Sequence, residues 1–275
     1  MLVNEDLFEK VGVKIPENFK ELKEACEAFK AAGYDCPILG YNNEKGMFNY
    51  IGQPSFIAGV ANDKEAVEKL NSLSEGCGEY AREALEEVYR FVDEGLINME
   101  ECNKLEDGYT ELILRFFEGD IPMAIGSGDT VSGTEKRESQ SDAFGKNPFK
   151  YAFYPVPLAD DGAYFLNSSS IQFAVNKNSK NLDMANEFMR FLSQSGELNN
   201  MASIKRLMTV TKDISFEGSI YAPFGSVSAE RSFYLRESGV LDDPQSQFRY
   251  AAYKVANGLL TVDEAVSAFG TLEKD

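Results

Sequence analysis

The sequence contains no histidine and no tryptophan among its 275 residues. Without histidine, a Ser-His-Asp or Cys-His nucleophile is excluded, and so is a zinc site that needs imidazole ligands. No apolar run approaches the roughly 20 residues that a membrane-spanning helix requires. Basic residues are scarce, because 27 Lys and Arg stand against 45 Asp and Glu, for a net charge of −18. That charge repels phosphate groups, so nucleic acids and anionic membranes are disfavoured as partners.

Cysteine is also rare, and its spacing indicates no metal site. Cys26, Cys36, Cys77 and Cys102 form no CxxC pair. The pattern favours four small buried apolar side chains. One disulfide is the alternative, and four cysteines allow three full pairings. Residues 1–6 lack the basic and apolar segments of a signal peptide, so the chain is expected to be cytosolic, or exported with its signal removed or not included.

Apolar side chains that recur at helical spacing alternate along the chain with short apolar runs. Apolar residues make up 43% of the chain, with 20 Phe and 13 Tyr, which is ample for a packed core. The pattern predicts helices at residues 19–32, 79–94, 109–118, 182–193, 196–206, 245–257 and 262–270. It predicts strands at residues 36–40, 121–125, 151–155 and 171–175, and a surface loop at 132–148. Strands that alternate with helices indicate an α/β fold.

Several catalytic and nucleotide-binding motifs are missing. The chain has no GxxxxGK[ST] phosphate loop, no GxSxG nucleophile elbow and no EF-hand spacing. Gly126-Ser127-Gly128 lacks the third glycine of a dinucleotide fingerprint. Paired carboxylates of the kind used by glycoside hydrolases stay open, since 45 acidic residues create many accidental pairs.

Six sequence blocks together resemble a known family, the extracellular solute-binding proteins of ABC importers in their maltodextrin-type, carbohydrate-binding branch. The blocks are Leu7–Pro16 with Phe19–Leu22, Phe91–Asn98, Phe117–Gly128, Tyr154–Pro157, Phe173–Asn181 with Ala185 and Glu187-Phe188, and Gly258 with Thr261–Ala265. Each block is weak alone, but they occur in the family's order and are spread over nearly the whole chain.

The resemblance implies a periplasmic-binding-protein type II-like fold, with two lobes joined by a hinge. It implies that residues 1–156 and 209–275 build the C-terminal lobe and that residues 157–208 belong to the N-terminal lobe. Family members carry well over a hundred residues before the first block, so this chain is expected to be a fragment that lacks most of the N-terminal lobe. Apolar residues such as Phe173, Phe188 and Phe191 would then be exposed, and copies of the chain would associate.

The resemblance places a sugar-binding loop at residues 41–50, and the loop has a suitable composition. Sugars require flat apolar faces and planar polar groups. Tyr41, Asn43 and Phe48 are therefore predicted to contact ligand. The alternative is a polar turn over ordinary core aromatics.

Further site residues follow from the family's block positions. Ser127 and Asp129 follow a predicted strand, with Asp129 standing where the family has a sugar-stacking aromatic; a helix cap is its alternative role. Because the chain has no Trp, any stacking platform must be Tyr or Phe. Asn167 and Ser168 would face the cleft from the other lobe, or form a plain turn. Arg249 matches a cleft-facing position, or forms a surface ion pair.

The resemblance implies binding without chemistry: a carbohydrate, expected to be an oligosaccharide, would be captured between the lobes for delivery to an ABC importer. The expected partners are the sugar and the importer's permease subunits, with no cofactor, metal or nucleic acid. The expected location is the outer face of the cytoplasmic membrane, through a lipoprotein anchor absent from this chain, or the periplasm. A carbohydrate-active enzyme and a binder of another small solute, such as a peptide, polyamine or anion, remain the alternatives.

Overall fold

A four-stranded sheet organises the first part of the structure, a computed structural model that describes residues 1–44, 46–106, 108–126, 131–168, 173–205 and 220–274. Its strands are β1 (Leu2–Asn4), β2 (Ile38–Gly40), β3 (Met123–Ile125) and β4 (Tyr151–Phe153), in the order β2-β3-β1-β4. β2 and β3 are parallel, whereas β1 is antiparallel to both β3 and β4. Every residue of β1, β2 and β3 is buried, as expected for strands that helices cover.

Thirteen helices are defined within the described ranges. They are α1 (Glu5–Val11), α2 (Phe19–Ala31), α3 (Met47–Val60), α4 (Lys64–Asn71), α5 (Arg82–Asp93), α6 (Met99–Asn103), α7 (Gly108–Phe116), α8 (Val131–Glu138), α9 (Asp142–Lys146), α10 (Leu182–Leu192), α11 (Ser195–Lys205), α12 (Asp242–Ala256) and α13 (Val262–Ala268). The Phe56 ring on α3 stacks on the Phe248 ring on α12, with centroids 4.6 Å apart, and both side chains are buried. The buried residues of α3, α5 and α12 and those of the sheet belong to one continuous apolar core.

The helices with sequence capping signals lie where the sequence predicts them. The Asn18 side chain accepts a hydrogen bond from the Glu21 N–H at 2.9 Å and begins α2. The Glu21 carboxylate accepts from the Glu17 N–H rather than from the N–H of Asn18. Thr261 and Glu264 form the predicted capping box of α13, with bonds of 2.8 and 3.2 Å. Local hydrogen bonding thus fixes these boundaries.

Two predicted elements are different in the structure. The expected loop at 132–148 contains α8 and α9, because Ser141 caps α9 and the Phe144 ring packs against Phe117 at 5.0 Å. The predicted strand at 171–175 lies partly outside the described residues, and residues 173–175 are not in a strand.

A second sheet has two strands. Its parallel strands are β5 (Phe165–Asn167) and β6 (Ser232–Tyr234). The chain after β5 leads to α10 and α11, and α10 has no buried residue. The exposed fractions of Phe173, Phe188 and Phe191 are 50%, 58% and 47%, which confirms that these apolar side chains are exposed.

The four cysteines are free and buried, as the first interpretation of their spacing expects. Burial raises the pKa of the Cys26 and Cys36 thiols to about 12 and that of Cys102 to about 11. These side chains therefore behave as small apolar groups rather than as reactive thiolates.

Candidate functional site

The carboxyl ends of β2 and β3 lie side by side. Gly40 and Ile125 are partners in the parallel ladder, so the chain leaves both strands at the same edge of the sheet. Tyr41 and Gly126, the residues that follow these two strand ends, therefore lie about 5 Å apart, the spacing of neighbouring strands. In open α/β sheets, ligands bind outside the carboxyl ends of the strands. This edge, with the loop at residues 41–46, is the candidate site.

Backbone hydrogen bonds close a tight turn at residues 41–44 and 46, the part of the 41–46 loop that the structure describes. The Gly46 N–H donates to the Asn43 carbonyl at 2.9 Å, and the Met47 N–H donates to the Tyr41 carbonyl at 3.2 Å. A Cβ at Gly46 would lie 2.2 Å from the Tyr41 carbonyl oxygen, so only glycine fits there. The turn sets the direction in which the Tyr41 side chain leaves the sheet.

The Tyr41 ring lies against the start of α7. Gly108 has a positive φ of 48°, and a Cβ there would be only 3.0 Å from the ring. Tyr109 follows at once, and the Arg137 guanidinium lies 4.7 Å from the centre of its ring. Both tyrosines are half-buried, so the structure places two aromatic side chains beside the predicted loop. Nothing in the local sequence distinguishes Tyr109 as a site residue apart from its place at a helix start.

Asn43 turns its side chain into the loop. A Cβ at Gly46 would lie 2.8 Å from Asn43 Oδ1, and that oxygen is buried without a hydrogen-bond partner among the described residues. Asn49 Oδ1, six residues after Asn43, is also buried without a hydrogen-bond partner among the described residues. Buried amide oxygens normally have a partner, so these two oxygens are exceptions in this part of the chain.

Phe48 has a different role from the one predicted for it. It is fully buried, because α3 begins at Met47 and turns residue 48 towards the core. The ring therefore presents no surface to a ligand, and the alternative interpretation, an ordinary core aromatic, describes it. The predicted site residues Ser127 and Asp129 lie outside the described residues.

Asn167 and Ser168 lie at the end of β5, beside a cavity of about 660 Å³. The Asn167 carbonyl accepts from the Leu235 N–H at 2.9 Å, and Ser168 is exposed and lines the cavity. Gln245 of α12 lines it too, and its Oε1 accepts from Gln53 Nε2 of α3 at 3.3 Å. The structure thus places Ser168 on the same cavity as Gln245, a residue that sequence reasoning did not select for the site.

Arg249 lies one helical turn after Gln245 on α12 and is half-buried. Its Nη2 donates to Ser246 Oγ at 2.8 Å, and no ion pair within the described ranges includes it. Along α12, about 18 Å of helix separate Gln245 from Asn257 beside the loop at residues 41–46, at 1.5 Å per residue. Tyr41 and Asn43 are therefore near one end of α12 and Ser168 is near the other, while Arg249 lies at the middle of the helix.

A further cavity of about 720 Å³ lies beyond Tyr154 at the end of β4. Its charged side chains pair with one another: Lys14 with Glu17 at 3.1 Å, and Arg231 with Asp161. The Arg231 guanidinium also lies 4.8 Å from the centre of the Tyr164 ring. Since these charged side chains are paired, the cavity is better explained as a structural cluster than as a binding site for a charged ligand.

The described residues contain neither a metal-ligand cluster nor a membrane-spanning helix. No three His, Cys, Asp or Glu side chains in these ranges converge in a way that could hold a metal ion. No helix in the same ranges combines the length and the apolar character needed to cross a membrane.

Solved structures of sugar-binding proteins share this fold. A Bacillus licheniformis sugar transporter in complex with stachyose aligns with a TM-score of 0.66 and 16% identity, covering 98% of this chain and 68% of that one. The solute-binding protein RafE in complex with raffinose gives a TM-score of 0.69 and 17% identity, covering 98% and 69%. The sugar-binding protein MalE from Xanthomonas citri gives 0.65 and 17%, covering 98% and 65%. The predicted periplasmic-binding-protein type II-like fold is confirmed.

Comparison with curated proteins gives no sequence match. The profile of one protein family, described as bacterial extracellular solute-binding protein, matches residues 1–197, which is more than half of the chain. That match includes five of the six blocks that carry the sequence resemblance, together with the strands and helices around the candidate site. The chain therefore belongs to the bacterial extracellular solute-binding proteins.

Proposed function

We propose that the chain binds a carbohydrate, an oligosaccharide in particular, without chemistry, for delivery to an ABC importer. Membership of the extracellular solute-binding family supports this proposal. So do the ligands named for proteins of the same fold, which are stachyose, raffinose and a chitin oligosaccharide. In this proposal the permease subunits of an importer are the protein partners, and a lipoprotein anchor or the periplasm keeps the protein outside the cytoplasm.

The observation that carries the proposal is the position of Tyr41. Its half-buried ring lies at the carboxyl edge of two parallel strands, against Gly108 and next to Tyr109. A pyranose ring offers flat C–H faces to such aromatic surfaces and hydroxyl groups to planar amides. Asn43 supplies an amide in the same turn, and Asp129 would add a carboxylate from the neighbouring strand end. The edge thus combines both kinds of group that sugar recognition needs.

A calorimetric titration with raffinose, stachyose, xylotriose and chitotriose tests the proposal. We expect saturable binding of at least one sugar, with no release of shorter products. Tyr41→Ala should weaken that binding about tenfold, equivalent to about 1.4 kcal/mol. Asp129→Ala should weaken it by about 1.5–3 kcal/mol, the usual range for a hydrogen bond to a charged group.

Tyr89→Ala is the matched control, because Tyr89 is 49% exposed on α5 and bonds only with Asp93 among the described residues. Unchanged affinity in Tyr41→Ala, or an equal loss in Tyr89→Ala, would remove Tyr41 from the site. Steady release of mono- or disaccharides, abolished by substitution of two carboxylates, would instead support a glycoside-active enzyme.

We also propose that the segment around α10 and α11 belongs to the second lobe. The exposed apolar residues of α10 support this, since they have the composition of a face that packs against protein. Leu158 is buried, and its carbonyl accepts from Arg90 Nη2 of α5 at 3.0 Å. It therefore packs with the helices around the four-stranded sheet and not with α10. We therefore place the crossing near β5, somewhat after the predicted boundary at residue 157.

Hydrogen exchange of the intact chain tests the assignment. Amides of α10 should exchange far faster than those of α12, whose Phe248, Ala251 and Ala252 are buried. Equal protection of the two helices would show that they form one cooperative unit.

A further inference from the structure

Three asparagines meet beside the candidate site. Asn42 Nδ2 donates to Asn103 Oδ1 and to Asn257 Oδ1, both at 2.8 Å. Asn257 Nδ2 donates back to Asn42 Oδ1 at 3.2 Å, so two side-chain amides are joined by a reciprocal pair of hydrogen bonds. The residues are separated by 61 and 215 positions in the sequence, and only the fold brings them together.

Both anchor residues lie on fixed elements. Asn257 is the C-cap of α12, and its Nδ2 also donates to the Tyr253 carbonyl at 2.9 Å, which fixes the orientation of the amide. Asn103 is the last residue of α6, a short helix whose Cys102 is fully buried and contacts the Gly40 N–H at the end of β2. The Asn42 side chain is therefore held by two helix ends, those of α6 and α12.

The held residue lies inside the loop at residues 41–46, directly after Tyr41. The turn places Tyr41 against Gly108, and the amide of Asn42 is the side-chain contact that ties this turn to α6 and α12. A loop held in its bound conformation loses less conformational entropy when ligand binds. The asparagine cluster can therefore affect affinity without touching the ligand.

We infer that Asn103 and Asn257 are positioning residues, which act through Asn42 to hold the loop at residues 41–46 for ligand binding. This inference rests on the proposed function only for its effect on affinity. Its structural part, the anchoring of the loop, can be measured without any sugar.

Hydrogen exchange of the unliganded protein is the first measurement. Asn257→Ala and Asn42→Ala should each accelerate exchange of the Gly46 and Met47 amides about tenfold, while the capped Glu264 amide of α13 is unchanged. Asn18→Ala is the matched control, because Asn18 is also an asparagine but caps α2 through a local hydrogen bond. Loop exchange that is unchanged in both variants, or equally faster in Asn18→Ala, would overturn the anchoring.

A double-mutant cycle with the sugar that the unaltered protein binds best is the second measurement. Each single variant should lower affinity about tenfold, and Asn42→Ala/Asn257→Ala should be no weaker than the weaker single variant, because Asn42→Ala already removes the bonds between Asn42 and Asn257. Independent, multiplying losses would overturn the positioning role. If the unaltered protein binds none of the four sugars, the proposed function fails, and the exchange measurement still decides whether the loop is anchored.

Discussion

Gly46 is the residue on which the shape of the candidate loop depends most. In Gly46→Ala, the new Cβ would lie 2.2 Å from the Tyr41 carbonyl oxygen and 2.8 Å from Asn43 Oδ1. The backbone must shift to relieve that clash, so we expect a loss of about 1–3 kcal/mol in the free energy of unfolding. Urea denaturation measures it.

Gly59, near the end of the α3 helix that Gly46 precedes, provides the control. It is exposed, and a Cβ there would have nothing within 4 Å. Gly59→Ala should stabilise the protein by about 0.5–1 kcal/mol, because alanine loses less backbone entropy in a helix. If the two substitutions had the same effect, the close packing inside the turn would be refuted.

Glu87 gives the protein a pH-dependent weakness. Its side chain is buried on α5, Oε2 has no hydrogen-bond partner among the described residues, and burial raises the carboxyl pKa. The folded state then holds the proton more tightly than the unfolded state, so stability from this group is present at low pH. It is lost as the pH rises from about 4.5 through the raised folded pKa.

Glu87→Gln should therefore raise the free energy of unfolding at pH 7, by about 1–3 kcal/mol, because the neutral amide avoids the cost of burying the carboxylate charge. The gain should vanish at a pH below the ordinary carboxyl range. Denaturation curves at several pH values measure it, and a gain that is the same at all of them would contradict the assignment.

Sequence composition identifies Tyr41 and Asn43 as site candidates but cannot separate them from Phe48. The difference is the start of α3 at Met47, which turns Phe48 into the core. Gln245 and Tyr109 are polar or aromatic residues in helices, and their positions depend on packing between elements far apart in the sequence. No local signal contains that information.

At the scale of whole elements, helices with caps and clear apolar stripes are predictable, and helices without them are not. α2 and α13 begin at side-chain caps that the sequence displays. α3 is apolar around most of its circumference and contains Pro54 in its interior, which argues against a helix on local grounds. It forms because packing against α5 and α12 offsets that cost.

The helix α10 is amphipathic in sequence, yet its apolar face is exposed. Phe188→Ser should change the free energy of unfolding by no more than about 0.5 kcal/mol, as for other surface substitutions. Phe56→Ala, at a ring that is 1% exposed, should cost about 3–5 kcal/mol. Denaturation of both variants tests this, and gel filtration should show that Phe188→Ser reduces any association.

A loss above about 2 kcal/mol in Phe188→Ser would mean that its ring is buried in solution. Where gel filtration shows a monomer, the apolar face of α10 would then be covered by the chain itself, and the separate-lobe proposal would fail.

At the scale of the whole molecule, the α/β class and the family can be recognised from the sequence, because six blocks keep their order along the chain. The relation of α10 to the sheet cannot, since apolar periodicity states that a face will be buried and not which surface buries it. The candidate site has the same limit. Its two strand ends are adjacent because β2 and β3 pair in parallel, across more than eighty residues of intervening chain.

A sugar that binds at the carboxyl edge of β2 and β3 should perturb the backbone amides of that edge. An NMR titration of the isotope-labelled protein with raffinose, followed through its backbone amides, tests this most directly because weak binding is also visible. We expect saturable shifts concentrated at residues 41–46 and 126–130 and reduced in Tyr41→Ala. Shifts that cluster elsewhere, or none up to the solubility of raffinose and of the other three sugars, would contradict it.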